Sequence, residues 1–62
     1  MGMAIIEVQT KESNWFRHCD CSDHPATIKQ MLEAALKSRP SIIKARALDA
    51  KTKQLLDMAI KV

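Results

Sequence analysis

Two histidines and two cysteines lie between positions 18 and 24 and form the densest group of chemically reactive side chains in the chain. Imidazole and thiolate groups are the ligands that Zn²⁺ and Cu⁺ prefer, so His18, Cys19, Cys21 and His24 are weak candidates for a metal site. The spacing counts against such a site, because paired zinc-binding cysteines usually have two residues between them and this chain has one. We expect no metal and no other cofactor, and interpret the group as a polar strand end with reduced thiols.

The same side chains would have to supply any nucleophile, since a neighbouring imidazolium lowers the pKa of a thiol. Sequence neighbours on a strand point to opposite faces, however, and no oxyanion-binding donor or third orienting group accompanies them. Gly2 is the only glycine, which excludes the glycine-rich phosphate loops of kinases, P-loop enzymes and dinucleotide-binding folds. We predict no catalytic residue, no enzymatic activity and no small-molecule substrate.

The length and composition indicate one small folded domain over residues 1–62, with 47% hydrophobic and 27% charged residues. No apolar run approaches the roughly 20 residues that a membrane crossing needs, and the N-terminus lacks the pattern of a secretion signal. Cys19 and Cys21 are too close in sequence for an ordinary structural disulfide. We therefore expect reduced thiols, a cytoplasmic location and no membrane partner.

The positive charge is concentrated in the second half of the chain. Residues 1–33 carry three basic and five acidic side chains, a net charge of −2, whereas residues 34–62 carry seven basic and two acidic ones, a net charge of +5. A basic hairpin could bind a phosphate backbone, and its candidate contacts are Lys44, Arg46, Lys53 and Lys61. Aromatic residues for base stacking are scarce, because Trp15 is the only tryptophan and the chain has a single phenylalanine.

The first half of the chain has the patterns of a hairpin followed by a helix. Apolar residues alternate from Met3 to Thr10, and turn-prone residues separate that run from a second one, which predicts a hairpin over residues 3–19. Pro25 suits the first position of a helix. The apolar spacing that follows predicts a helix over residues 25–38, which must end before Pro40.

Residues 41–62 are predicted to form a second hairpin, because apolar residues alternate on both sides of a turn-prone segment. Pairing Asp49 with Thr52 would place Ala45 opposite Leu56, Ile43 opposite Met58 and Lys44 opposite Asp57. An alternative interpretation makes residues 49–60 a helix with Asp49 as its N-cap, which would give a mostly α protein.

The predicted fold class is therefore α+β, with one amphipathic helix packed on a small antiparallel sheet in ββαββ or βαββ order. Because Met58 is assigned to the core, Met58→Asp is expected to unfold the protein. The predicted core comprises Ile6, Val8, Ile28, Met31, Leu32, Leu36, Ile43, Leu56, Met58 and Ile60.

One helix can cover only one face of this sheet, so apolar residues assigned to the opposite face would be exposed. Ile42, Leu48 and Leu55 fall on that face, and Trp15 adds to it, which makes these four residues candidate partner contacts. We predict a small non-enzymatic accessory protein of bacterial or phage type that binds a protein partner or self-associates, forming a homodimer. The alternative is a small nucleic-acid-binding regulator that uses the basic C-terminal hairpin.

Overall fold

The computed structural model describes residues 2–12 and 14–61. The elements in chain order are β1 (Met3–Thr10), β2 (Phe16–Ser22), α1 (Pro25–Ser38), β3 (Ile42–Asp49) and β4 (Leu55–Ile60). All neighbouring strands are antiparallel, and their order across the sheet is β2-β1-β3-β4. The predicted α+β class in ββαββ order is confirmed. The mostly α alternative is wrong, because residues 55–60 form a strand.

The ends of α1 follow from local chemistry. Pro25 occupies the first helical turn, where its missing N–H costs no hydrogen bond. His24 is the N-cap, and its Nδ1 accepts a hydrogen bond from the Ala26 N–H at 3.3 Å. Arg39, directly before Pro40, is extended, so the helix ends at Ser38 as the proline requires.

The core lies between α1 and one face of the sheet. The helix contributes Ile28, Leu32 and Ala35, whose spacing of four and three residues places them on one side. α1 contacts all four strands, and β3 most extensively. Met31 and Leu36, assigned to the core from the sequence, pack at its margin and are only partly buried. The buried core residues are Ala4, Ile6, Val8, Cys21, Ile28, Leu32, Ala35, Ile42, Ala45 and Ala47.

A β-bulge near the start of β3 changes which side chain enters the core. Thr10 pairs with Ile42 and Gln9 pairs with Lys44, which leaves Ile43 as the extra residue. The bulge reverses the alternation, so Ile42 turns toward α1 and is 1% exposed. The predictions that Ile42 lies on the outer face and Ile43 in the core are therefore both wrong.

The turn between β3 and β4 is longer than the sequence suggested. The Asp49 N–H donates to the Gln54 carbonyl oxygen at 2.8 Å, and the Lys53 N–H donates to the Asp49 carbonyl oxygen at 2.8 Å. The Asp49 carboxylate also accepts hydrogen bonds from the N–H groups of Lys51 and Thr52, at 2.8 and 3.0 Å. Asp49 does organise this turn, but it closes on Gln54, so the predicted pairing of Asp49 with Thr52 is wrong.

A second β-bulge, in β4, reverses the two sides of that strand. Leu48 pairs with Leu55 but Ala47 pairs with Asp57, which leaves Leu56 as the extra residue. The longer turn alone shifts the predicted pairing by two residues, which would keep each side chain on its predicted face.

Ala45 pairs with Ala59 and Ala47 pairs with Asp57, which places Asp57 and Ala59 on the side of α1. Met58, between them, points to the opposite face. The predicted pairs of Ala45 with Leu56 and Ile43 with Met58 are wrong, as is the assignment of Leu56, Met58 and Ile60 to the core.

The exposed apolar side chains of β4 lie on the face that the helix does not cover. Leu55, Met58 and Ile60 pair with residues of β3 that point away from α1. The helix packs most extensively on β3, where the small side chains of Ala45 and Ala47 face it. β4 is left as an edge strand with exposed apolar side chains.

Candidate interaction surface

The sheet face opposite α1, here called the open face, is built from rows of side chains that cross three strands. Alternation places these residues on the face away from Ala45 and Ala47, and the strand pairing sets them side by side. The rows across β1, β3 and β4 are Ile5, Leu48 and Leu55; Glu7, Arg46 and Met58; and Gln9, Lys44 and Ile60.

The side of the open face nearest β4 is apolar. Among the residues described, six large hydrophobic side chains are exposed, and four of these belong to β4. Leu55, Met58 and Ile60, which we call the β4 patch, are 53%, 41% and 57% exposed. Leu48 lies beside Leu55 and is half-buried. A cluster of this kind is unusual on a sheet face that meets only water.

The middle of the open face is polar and internally satisfied. Arg46 Nε donates to Glu7 Oε1 at 2.8 Å, and Arg46 Nη2 lies 2.7 Å from the same oxygen. The Trp15 ring lies over the guanidinium, with its centroid 4.2 Å from Arg46 Cζ. Trp15 therefore covers the ion pair and is itself half-buried. This arrangement separates the β4 patch from the more charged β2 side of the sheet.

The predicted partner-binding residues thus have different positions. Leu55 is exposed in the β4 patch, Leu48 flanks it, and Trp15 lies on the same face over Arg46. Ile42 is in the core and cannot contact a partner. The sequence pattern did not indicate Met58 and Ile60, because their side of the strand depends on the bulge at Leu56.

The predicted nucleic-acid contacts are not gathered into one patch. Lys44 and Arg46 lie on the open face, where Arg46 is engaged by Glu7. Lys61 follows β4 and its Nζ lies 3.4 Å from the Arg39 carbonyl oxygen. Lys53 is in the β3–β4 turn.

The predicted opposition of Lys44 and Asp57 is wrong. Lys44 pairs with Ile60, whereas Asp57 pairs with Ala47 on the side of the helix. The Asp57 carboxylate is therefore on the face of the sheet opposite to Lys44. The basic residues surround the hairpin instead of lining one side of it.

The two cysteines among the candidate metal ligands are poorly placed to bind a metal ion from solvent. Cys19 and Cys21 pair with Ile6 and Ala4, so both thiols face the core side of the sheet. Burial raises the pKa of both thiols, and the negative charge of Asp20 raises it further. Within residues 2–12 and 14–61, no group of three histidine, cysteine or acidic side chains is placed to hold a metal ion. Protonated, inward-facing thiols are poor nucleophiles and poor ligands.

The chain matches no protein-family model, no curated protein and no solved structure. In the described part of the chain, no helix has the length and apolar character needed to cross a membrane, and α1 has 14 residues.

Proposed function

We propose that this chain is a small non-enzymatic accessory protein of bacterial or phage type that acts by protein–protein interaction, in the first place with itself, through the β4 patch. The observation that carries the proposal is the clustering of Leu55, Met58 and Ile60 on one exposed strand. Apolar side chains grouped on neighbouring strands are typical of interfaces, whereas single exposed ones are ordinary. Association would remove this cluster from water.

The orientation of β4 supports the same proposal. Its small and charged residues, Ala59 and Asp57, face the helix, while the large apolar Met58 and Ile60 face outward. A half-buried strand in an isolated antiparallel sheet usually has the opposite pattern, with apolar residues inward and polar residues outward. A second protein covering the open face would give both sides of β4 a suitable environment.

Two further parts of the proposal concern location and nucleic acid. The free thiols of Cys19 and Cys21 favour a reducing compartment, and we place the protein in the cytoplasm. Binding of nucleic acid through Lys44, Arg46, Lys53 and Lys61 has less support. Arg46 already binds Glu7 and Trp15, and the remaining cations lie on different sides of the hairpin.

Sedimentation velocity over protein concentrations from about 10 µM to about 1 mM tests the proposal. We expect the mass to rise with concentration, and Ile60→Lys to weaken association because it places a charge in the β4 patch. Phe16→Lys is the matched control, since Phe16 is 39% exposed and lies on β2 at the far edge of the sheet. Circular dichroism melts establish that both variants fold.

A protein that stays monomeric throughout, or association that Ile60→Lys leaves unchanged, would contradict the proposed function. A parallel titration with a short DNA duplex at low salt covers the alternative. Salt-sensitive amide shifts confined to Lys44, Lys53 and Lys61 would favour nucleic-acid binding instead.

A further inference from the structure

The outer edge of β4 presents backbone groups to solvent. The Lys61 N–H donates to the Ile43 carbonyl oxygen at 2.8 Å, so the backbone groups of Lys61 point toward β3. Asp57, in β4, is an even number of residues away, and its backbone groups point the same way. Hydrogen-bonding direction alternates along an antiparallel strand, and the N–H and C=O groups of Met58 and Ile60 therefore point away from the sheet. No strand in the described part of the chain pairs with this edge. An edge of this kind is a template for another strand.

Asp57 is the one side chain of β4 that occupies this edge through a hydrogen bond. Its Oδ1 accepts from the Met58 N–H at 2.8 Å, while the side chains around it are apolar and exposed. Natural edge strands are usually protected by several charges, by a proline or by a covering loop. The protection here is a single carboxylate that can turn to another donor.

We propose that β4 binds β4 of a second copy of this chain as an antiparallel strand, with the two-fold axis at Ala59. In this register Met58 lies opposite Ile60 of the second copy, and the two residues exchange backbone hydrogen bonds. The Met58 N–H, which donates to the Asp57 carboxylate in the free protein, donates to the Ile60 carbonyl oxygen of the second copy in the dimer. This inference specifies the self-association of the proposed function and rests on it.

Charge complementarity selects this register. With the axis at Ala59, Asp57 of each copy faces Lys61 of the other, on the side of the sheet that carries α1. An axis at Asp57 would oppose two carboxylates, and an axis at Met58 would oppose Asp57 and Ala59. Both Asp57 and Lys61 are exposed, and the new pair replaces one surface hydrogen bond of each, from the Met58 N–H to Asp57 and from Lys61 to the Arg39 carbonyl oxygen.

The same register joins the apolar surfaces. Met58 and Ile60 lie on the open face, and Met58 of each copy would contact Ile60 of the other across the new strand pair. The two β4 patches would become one continuous apolar band in the centre of an enlarged sheet. The contact is isologous, with the same surface of each copy meeting at a two-fold axis, and two-fold dimers are the commonest homo-oligomers.

Charge reversal tests the register. Asp57→Lys places two lysines opposite each other at each end of the strand pair, and Lys61→Asp places two carboxylates there. We expect each change to weaken the dimer about tenfold, because two attractive pairs become repulsive. The double variant Asp57→Lys with Lys61→Asp restores both pairs and should recover most of the affinity. Lys11→Asp, at an exposed position directly after β1, makes the same charge change away from β4 and should have little effect.

Amide hydrogen exchange supplies a second readout. Strand pairing protects the amides of Met58 and Ile60 as protein concentration rises, whereas stacking of two open faces leaves them exchanging. Asp20 is the control, because Cys21 hydrogen-bonds toward β1 opposite Ala4 and the Asp20 amide therefore faces the free edge of β2. Its exchange should not depend on concentration.

The outcomes separate the two proposals. Suppose that Ile60→Lys abolishes association, but that charge reversal has no effect and the amides of Met58 and Ile60 stay unprotected. This result overturns the strand pairing and leaves the proposed function standing. A monomeric wild type, or association that Ile60→Lys leaves unchanged, overturns the proposed function together with the pairing. Loss of affinity in both single reversals with recovery in the double variant supports the pairing.

Discussion

Arg46 and Glu7 are paired across β3 and β1, with Arg46 Nε donating to Glu7 Oε1 at 2.8 Å in the middle of the open face. The side chains are 29% and 22% exposed, so the pair is partly shielded from water. A cation held in this way stabilises the sheet and is not presented to an external anion. Arg46, predicted as a nucleic-acid contact, is therefore engaged within the sheet by Glu7.

Arg46→Ala should lower the free energy of unfolding by about 1 to 2 kcal/mol, because it removes charge-assisted hydrogen bonds and the contact with the Trp15 ring. Lys44→Ala, two residues earlier on the same face, is the control and should change it by less than about 0.5 kcal/mol. Urea denaturation followed by circular dichroism measures both. Equal effects of the two substitutions would show that the pair with Glu7 contributes nothing specific.

Ile42 and Met58 exchange the roles that the sequence assigned to them, and substitution distinguishes the two positions. Ile42→Ala should cost about 2 to 5 kcal/mol, because it leaves a cavity beneath α1. Met58→Asp should leave the protein folded, since Met58 is 41% exposed on the open face, and should instead weaken association. Thermal melts at low protein concentration measure the first effect and sedimentation measures the second. If Met58→Asp unfolds the protein, Met58 lies in the core, as the register predicted from the sequence has it.

The fold class could be predicted because its signals are local. The alternation of Ala4, Ile6 and Val8 and the helical spacing of Ile28 and Leu32 are each contained in one element, and all five residues are buried. Pro25 marked the beginning of the helix in the same local way. None of these inferences required knowledge of a partner strand.

The position of the exposed apolar residues could not be predicted because it depends on pairing between strands. The bulge at Ile43 turns Ile42 inward, and the bulge at Leu56 in β4 turns Met58 outward. Each irregularity moves a strand by one residue, which transfers every following side chain to the other face. The sequence indicated that apolar residues would occupy the open face, but not which ones beyond Leu48 and Leu55.

Lys53→Gly should stabilise the β3–β4 turn. Lys53 has a φ of 64°, in the left-handed region where a side chain is unfavourable and glycine is not. We expect a gain of about 0.5 to 1 kcal/mol in the free energy of unfolding, smaller than the full strain because glycine also loses more entropy on folding. Lys51→Gly, in the same turn, is the control and should not stabilise. A lower melting temperature for Lys53→Gly would contradict the inference that the backbone at Lys53 is strained.

The Asp49 carboxylate should make stability depend on pH in the acid range. Hydrogen bonds from the N–H groups of Thr52 and Lys51 lower the pKa of Asp49 below its ordinary value. A group whose pKa is lower in the folded protein stabilises it above the unfolded pKa, about 3.9 for aspartate, and this contribution is lost as the pH falls through the folded pKa. Asp49→Asn keeps a side-chain oxygen but cannot ionise. Melting temperatures of the two proteins should therefore differ most near neutral pH and converge as the pH falls below about 4. A difference that stays constant over this range would mean that the ionised carboxylate does not stabilise the turn.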